Sequence, residues 1–477
     1  MKILLINPPI RTWAPPNCFP QGLGYIAQML RKDHDVEVLD LNAERLSWTG
    51  VICRLLRIEY NTVGITGLIT NYEYVKRLIE EIHTVKPSIC LIDREGKKHY
   101  ANTPIVVGGV LGSSIPEIML RKAEADICVI GEGELTAVEL FNKMEELSDW
   151  RDIKKAGIKG IAYLRDGEFI REEARESISD ISQLPLPAYD LFPIETYLGN
   201  PVGSTINKNK WIDGKAEKVP LSMNILSSRG CAWQCFFCYH DYMGVRYRYR
   251  NPQSLFDEIV FLYERYGVKF ILMGDDTFIT NRKNVMEFCD LMIFSGMNKI
   301  IRWECGARVN TVDRELLEEC KEAGCSLVGY GIESGSQKML DVLNKKVTVE
   351  QCHKAVEMTQ EIFGDCEVTF IIGSPGETRE TIQETVDFCK RHNLPPHAVF
   401  FLTPYPGTPL WQWMREEGWF GSSRIRLDEE ERMCLRLSDN EQGENILVNF
   451  TDFTDEELME IKQAMVKELN AWNKLEH

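Results

Sequence analysis

Three cysteines fall within eight residues of the stretch SSRGCAWQCFFCYH, where Cys231, Cys235 and Cys238 are spaced C-x3-C-x2-C. Thiolates are soft donors that suit zinc and iron–sulfur clusters, and three on one short loop can wrap a single metal centre. A closed zinc site needs a fourth ligand, for which only His240 is near, and such sites usually pair two C-x2-C knuckles. A 4Fe-4S cubane held by three thiolates leaves one iron open to a substrate or cofactor, which implies chemistry rather than electron storage alone. The chain has fifteen cysteines, and that odd number in a long chain speaks against a disulfide framework. Cys53, Cys128, Cys289, Cys320, Cys352 and Cys389 sit singly inside apolar patterns and read as small core residues.

The loop needs a frame, and the surrounding sequence predicts one. Over residues 1–150, short apolar runs (KILLIN, VEVLDL, TVGIT, PIVVGG, DICVIG) alternate with helix faces such as Val75, Leu78, Ile79 and Ile82. Five such alternations imply a doubly wound parallel sheet whose ligands sit beyond the strands' carboxyl ends. Those ends carry Thr66-Gly67, Gly108-Gly109 and Gly131-Glu132-Gly133-Glu134. No GxGxxG follows the first strand, so an ordinary dinucleotide site is not expected. Residues 88–103 read as a surface hairpin or insertion, and residues 151–220 as a connector with a β-hairpin turning at Asp166-Gly167. Strand and helix alternation resumes over 221–410 as six βα units, a partial (β/α)6 TIM-type barrel with the cysteines just after its first strand. Residues 411–477 read as a mostly helical extension, whose last three residues look like a tag remnant and are set aside. The fold class is therefore α/β, with a short helical C-terminal extension.

The cysteine loop and its barrel setting resemble the radical S-adenosylmethionine (SAM) superfamily. That resemblance implies a 4Fe-4S cluster on Cys231, Cys235 and Cys238, with SAM on the open iron and cleavage to a 5′-deoxyadenosyl radical. It places Phe237 and the backbone at Tyr239 near the adenine. It assigns the SAM amine to Gly274, Asp275 and Asp276, with the choice between the two aspartates open. It gives the carboxylate and ribose to Arg308, Glu333 and Ser334, and the adenine side to Gly373 and Pro375. Tyr330 and Cys305 are candidate catalytic residues near a substrate, with barrel packing as their alternative. The first 150 residues and the connector LPLPAYDLFP are similar to the cobalamin-binding subclass. On that likeness Thr66, Gly67, Gly108, Gly109, Gly131 and Glu132 line a corrin pocket. The DxHxxG sequence that supplies a cobalt ligand elsewhere is absent, so cobalamin binds without a protein imidazole or the domain has lost it.

Such parts imply C-methylation of an unreactive carbon, with rearrangement, oxidation or cyclisation as alternatives and a sensor without turnover as a different class. The full set of SAM contacts separates an enzyme from a sensor. A net charge of −17 disfavours a nucleic-acid backbone or an anionic membrane as partner. No apolar run is long enough to span a bilayer, and MKILLINPP lacks a signal-peptide layout, so a cytoplasmic setting is expected. The implied partners are a small-molecule or lipid-like substrate and an external reductant such as flavodoxin or ferredoxin.

Overall fold

The computed structural model describes the chain except residues 86–88, 93–97, 102, 204–219, 240–245, 396–398, 424, 441–444 and 476–477. His240, the nearest imidazole to the cysteines, lies outside the described residues.

Lys2–Asn7 (β1) is buried beyond its first residue and apolar from Ile3 to Ile6, as a central parallel strand requires. Asp35–Asp40 (β2) and Thr62–Ile65 (β3) flank it. Ile89–Ile92 (β4) and Lys98–Ala101 (β5) form a separate antiparallel hairpin, as residues 88–103 predict. Ile105–Val107 (β6) and Ile127–Val129 (β7) complete a parallel sheet in the order β2-β1-β3-β6-β7. The strand order reverses at β1, which opens a crevice at the carboxyl ends of β1 and β3. The connector hairpin, Ile161–Arg165 (β8) and Glu168–Arg171 (β9), adds itself antiparallel to β7 and so extends this sheet. Its turn is Asp166-Gly167, with φ of 53° and 81°, the positive pair that a tight hairpin needs.

The second sheet begins with Ser222–Ile225 (β10). Ser228–Arg229 (β11) and Arg248–Tyr249 (β12) pair with each other at the root of the cysteine loop. Phe270–Met273 (β13), Arg302–Ala307 (β14), Cys325–Glu333 (β15), Glu367–Ile372 (β16) and Val399–Phe401 (β17) then follow β10 in sequence order, all parallel. The sheet is an open, curled half-barrel backed by helices. Asn281 caps the helix Arg282–Phe294 through its own side chain, so neither Asp275 nor Asp276 is needed as that cap.

The extension closes the molecule in two places. Trp411, Met414, Met433, Cys434 and Leu437 share a core with Val75, Leu78 and Ile79 of the first sheet's helices. Tyr72 donates to Glu431 at 2.7 Å beside the Lys76–Glu431 ion pair. The helix Asp455–Leu475 packs on Arg379–Arg391, where Lys390 pairs with Glu468. Of the six cysteines read as core, five are buried and Cys53 is exposed. It lies between Val51 and Leu55, the buried stripe of Trp48–Arg57, and so on the helix's other face.

Candidate cluster loop and cofactor cavity

β10 ends at Ile225, and Ser227 and Ser228 then turn the chain into the cysteine loop. Asp275, just past β13, accepts from the backbone N–H and hydroxyl of both serines, with the longer contacts at 2.8 to 2.9 Å. Burial pushes its carboxyl up to about 6 against the pull of these four donors. Asp275 thus ties the loop's root to the second barrel strand. Its neighbour Asp276 is exposed, and its carboxylate acts electrostatically on Cys231 and Cys238. The two aspartates that the sequence left as alternatives have separate surroundings.

Cys231 and Cys235 are buried and Cys238 is half-buried. Desolvation raises the Cys231 and Cys238 thiols, the latter to about 12, with the Asp276 charge and the neighbouring thiols adding to it. Such thiols ionise when a cation arrives to hold them. Among the described residues no three His, Cys, Asp or Glu side chains are gathered to hold a single ion.

Arg308, just past β14, donates from Nη1 to Cys235 Sγ at 3.5 Å and from Nη2 to the Lys345 carbonyl. Its guanidinium lies 4.3 Å from the Trp233 ring centroid, and its buried Nε–H has no partner among the described residues. An unspent donor on a fixed fork beside the Cys235 thiol suits a ligand carboxylate. Lys345 pairs with Glu333 at 2.7 Å, both side chains buried, and its Nζ lies 5.8 Å from the Phe237 ring centroid. β15 bulges between Gly331 and Glu333, and Glu333 sits at φ 70°, strain of the kind concentrated at ligand sites. The segment 343–345 also holds the loop: Phe236 N donates to Leu343 O at 2.9 Å, and Asn344 donates to Gln234 O. Lys345 and Trp233 had no signal in the sequence beyond proximity to a motif.

The remaining predicted positions divide. Gly274 is exposed at the end of β13, and Tyr239 packs where a Cβ on Gly407 would collide with its ring. Gly373 turns at φ 89°, and Pro375 is half-buried beside it. The N–H groups of Gly373 and Ser374 donate to Glu377, whose carboxyl burial pushes up to about 7. Ser334 is buried, with its hydroxyl engaged by Thr385 and by the Ser336 N–H at 3.1 Å each. Tyr330 and Cys305, candidate catalytic residues with barrel packing as their alternative, make packing contacts in the wall. The Tyr330 hydroxyl meets Thr359 on the backing helix Val349–Phe363 at 2.8 Å. Cys305 lies among Cys325, Cys320 and Cys289, all buried.

At the carboxyl ends of the first sheet lies a cavity of about 240 Å³. Thr66, Gly67, Gly108, Gly109, Gly131 and Glu132 all line it, joined by Gln21 from the helix Gln21–Leu30 and by Leu226 and Arg229 from the barrel side. Its wall is mostly apolar, and no histidine is among the described residues lining it. The glycines keep it open; at Gly109 a Cβ would stand 2.7 Å from the Thr66 hydroxyl. Gln21 donates to Asn224 O, while its buried Oε1 has no partner among the described residues. An apolar cradle with an orphan acceptor and no imidazole fits a flat ligand edged with amide N–H groups and carrying no protein ligand to its metal. Glu132 reaches the cavity, but its carboxylate is occupied by Arg229, Arg248 and the Ile178 N–H.

Residues 10–141 match the B12 binding domain family model and residues 225–389 the radical SAM superfamily model. An uncharacterized methyltransferase of Pyrococcus horikoshii is 32% identical over 87% of this chain and 83% of its own length. The anaerobic magnesium-protoporphyrin IX monomethyl ester cyclase of Cereibacter sphaeroides is 28% identical over 78% of this chain, which spans 60% of that protein. Among solved structures, the radical SAM methyltransferase TsrM of Kitasatospora setae, with cobalamin and a [4Fe-4S] cluster bound, superposes with a TM-score of 0.67. The match covers 88% of this chain and 76% of that one at 21% identity, a likeness of fold.

Proposed function

The chain belongs to the cobalamin-binding radical SAM enzymes, methylating enzymes that use a 4Fe-4S cluster, SAM and cobalamin, and we propose that it C-methylates an unreactive carbon of a small-molecule or lipid-like substrate. One observation carries the reading: Leu226 and Arg229, at the root of the cysteine loop, also line the cavity of the first sheet. The two cofactor sites therefore adjoin. When bound, the cluster and SAM supply a 5′-deoxyadenosyl radical, and cobalamin supplies a methyl group.

The chain's own residues bind and orient. Cys231, Cys235 and Cys238 hold the cluster, and the Arg308 hydrogen bond fixes Cys235. Asp276 rather than Asp275 receives the SAM ammonium, because Asp275 already serves four donors. The free Nε–H of Arg308 meets the carboxylate, and Glu333, steadied by Lys345, meets the ribose. Phe237, Gly373 and Pro375 bound the adenine. Thr66, Gly67, Gly108, Gly109 and Gly131 form the corrin cradle, with Gln21 Oε1 accepting from an amide on its rim. No described helix is long and apolar enough to cross a membrane. A cytoplasmic setting and a one-electron donor such as flavodoxin or ferredoxin complete the proposal. The cyclase among the relatives supports a second reading, cyclisation with the same parts.

Anaerobic purification from cells given hydroxocobalamin tests the proposal. One corrinoid and about four iron atoms per chain are expected, followed by transfer of labelled methyl from SAM to a substrate pool. Four iron atoms without corrinoid would move the chemistry away from methyl transfer.

A further inference from the structure

Four charges are buried where the two sheets meet. Arg229 pairs through Nη1 with Glu132 at 3.1 Å and through Nη2 with Glu134 at 2.5 Å, and Arg248 Nη1 lies 2.8 Å from Glu132. All four side chains are 7% exposed or less. The lattice takes in a third segment, since Ile178 N donates to Glu132 at 2.7 Å and Arg248 donates to Ile178 O at 2.7 Å. The Arg229 guanidinium also lies 5.3 Å from the Tyr25 ring centroid.

The placement is specific at both ends. Glu132 is the N-cap and Glu134 lies in the first turn of the helix Gly133–Glu146 behind the turn that lines the cavity, and that turn is pinned by Gly131 N donating to Ser113 Oγ at 3.0 Å. Arg229 and Arg248 are the paired residues of the β11–β12 ladder that closes the cysteine loop, and Arg229 stands two residues before Cys231. A buried ion-pair lattice adds little stability over an apolar contact of equal volume, but it fixes geometry, because each charge must stay within reach of its partner. A turn that shifts to admit a ligand must therefore carry the loop's root with it.

Resting on the reading of the cavity as the corrin site, we propose that Glu132, Arg229 and Arg248 are positioning residues that couple corrin occupancy to the placement of the cluster loop. Glu132 spends its carboxylate on this coupling rather than on the cofactor. Coupling between two sites is reciprocal, so each ligand tightens the other by one factor.

The test measures hydroxocobalamin affinity for the full chain with the cluster reconstituted and with iron removed by chelation. The wild type is expected to bind more tightly when iron-loaded, by roughly fivefold or more. The charge-neutral double variant E132Q/R248Q, which leaves Arg229 paired with Glu134, is expected to keep its iron and its circular dichroism while that ratio falls toward one. R248K, which keeps the charge but loses the fork, is expected to fall between and serves if the double variant does not fold. A wild-type ratio of one with firm corrinoid binding, or an unchanged ratio in the variants, overturns the coupling alone. Failure of the wild type to bind corrinoid overturns the cavity's assignment and the coupling together.

Discussion

Arg308 Nη1 donates to Cys235 Sγ across 3.5 Å, so the third barrel strand reaches the middle thiol of the cysteine loop directly. The same guanidinium covers Trp233 and binds the Lys345 carbonyl, drawing loop, strand and the 343–345 segment onto one side chain. Changing Cys235 to Ala removes one of the three proposed cluster ligands, and iron per chain is expected to fall from about four to near zero. Arg308→Lys retains a charge but loses the planar fork. It is expected to keep its iron while SAM binding weakens roughly tenfold, the equivalent of about 1.4 kcal/mol. Iron analysis and equilibrium dialysis with labelled SAM read both.

The aspartate pair separates stability from binding. Asp275→Asn places an amide N–H₂ among four donors and is expected to cost on the order of 1–3 kcal/mol, seen as a lower Tm. Asp276→Asn, on the exposed side, is expected to leave Tm within about 0.5 kcal/mol of wild type and to weaken SAM binding. If Asp275→Asn melts like wild type, or Asp276→Asn binds SAM normally, the division of roles between them is wrong.

Much of this was legible in the sequence because it is periodic or local. Eleven parallel strands follow from short apolar runs, and the C-x3-C-x2-C loop falls where a barrel's ligand face must be. What stayed hidden depends on residues far apart in the chain. Arg229 sits beside a motif and Arg248 in the run RYRYR, but only the fold brings them to Glu132, more than ninety residues earlier. The separation of Asp275 from Asp276 turns on which carboxylate points under the loop, and adjacent residues of like type carry no mark of that. Tyr330 and Cys305 read as site residues because they lie near the ends of barrel strands, where alternation sends every second side chain to the helices. The connector hairpin joins the first sheet because β7 offers an unpaired edge, which local patterning does not reveal.

The cavity can be closed without disturbing the barrel. Gly108 has φ −122° and ψ −163°, extended values open to any residue, and a Cβ there meets only Val129 Cβ at 3.9 Å. Gly108→Val is expected to fold, to hold about four iron atoms and to lose most of its corrinoid uptake, scored by absorbance after anaerobic gel filtration. Full corrinoid occupancy in that variant would remove Gly108 from the cradle.

Glu377 gives the chain a pH signature at the turn after the fifth barrel strand. Burial pushes its carboxyl from 4.5 up to about 7, beneath the turn made by Gly373 and Ser374. Between those values the folded chain holds a proton that the unfolded chain has shed, so stability falls as pH rises through this window and levels off above it. The full loss is on the order of 3 kcal/mol. Glu377→Gln keeps a carbonyl for the two N–H groups and cannot ionise. Denaturant unfolding at pH 5 and pH 7.5 is therefore expected to show a decline in the wild type that is smaller by about that amount in the variant. Parallel pH dependence in the two proteins would mean that Glu377 is ionised throughout and that the turn's donors outweigh its burial.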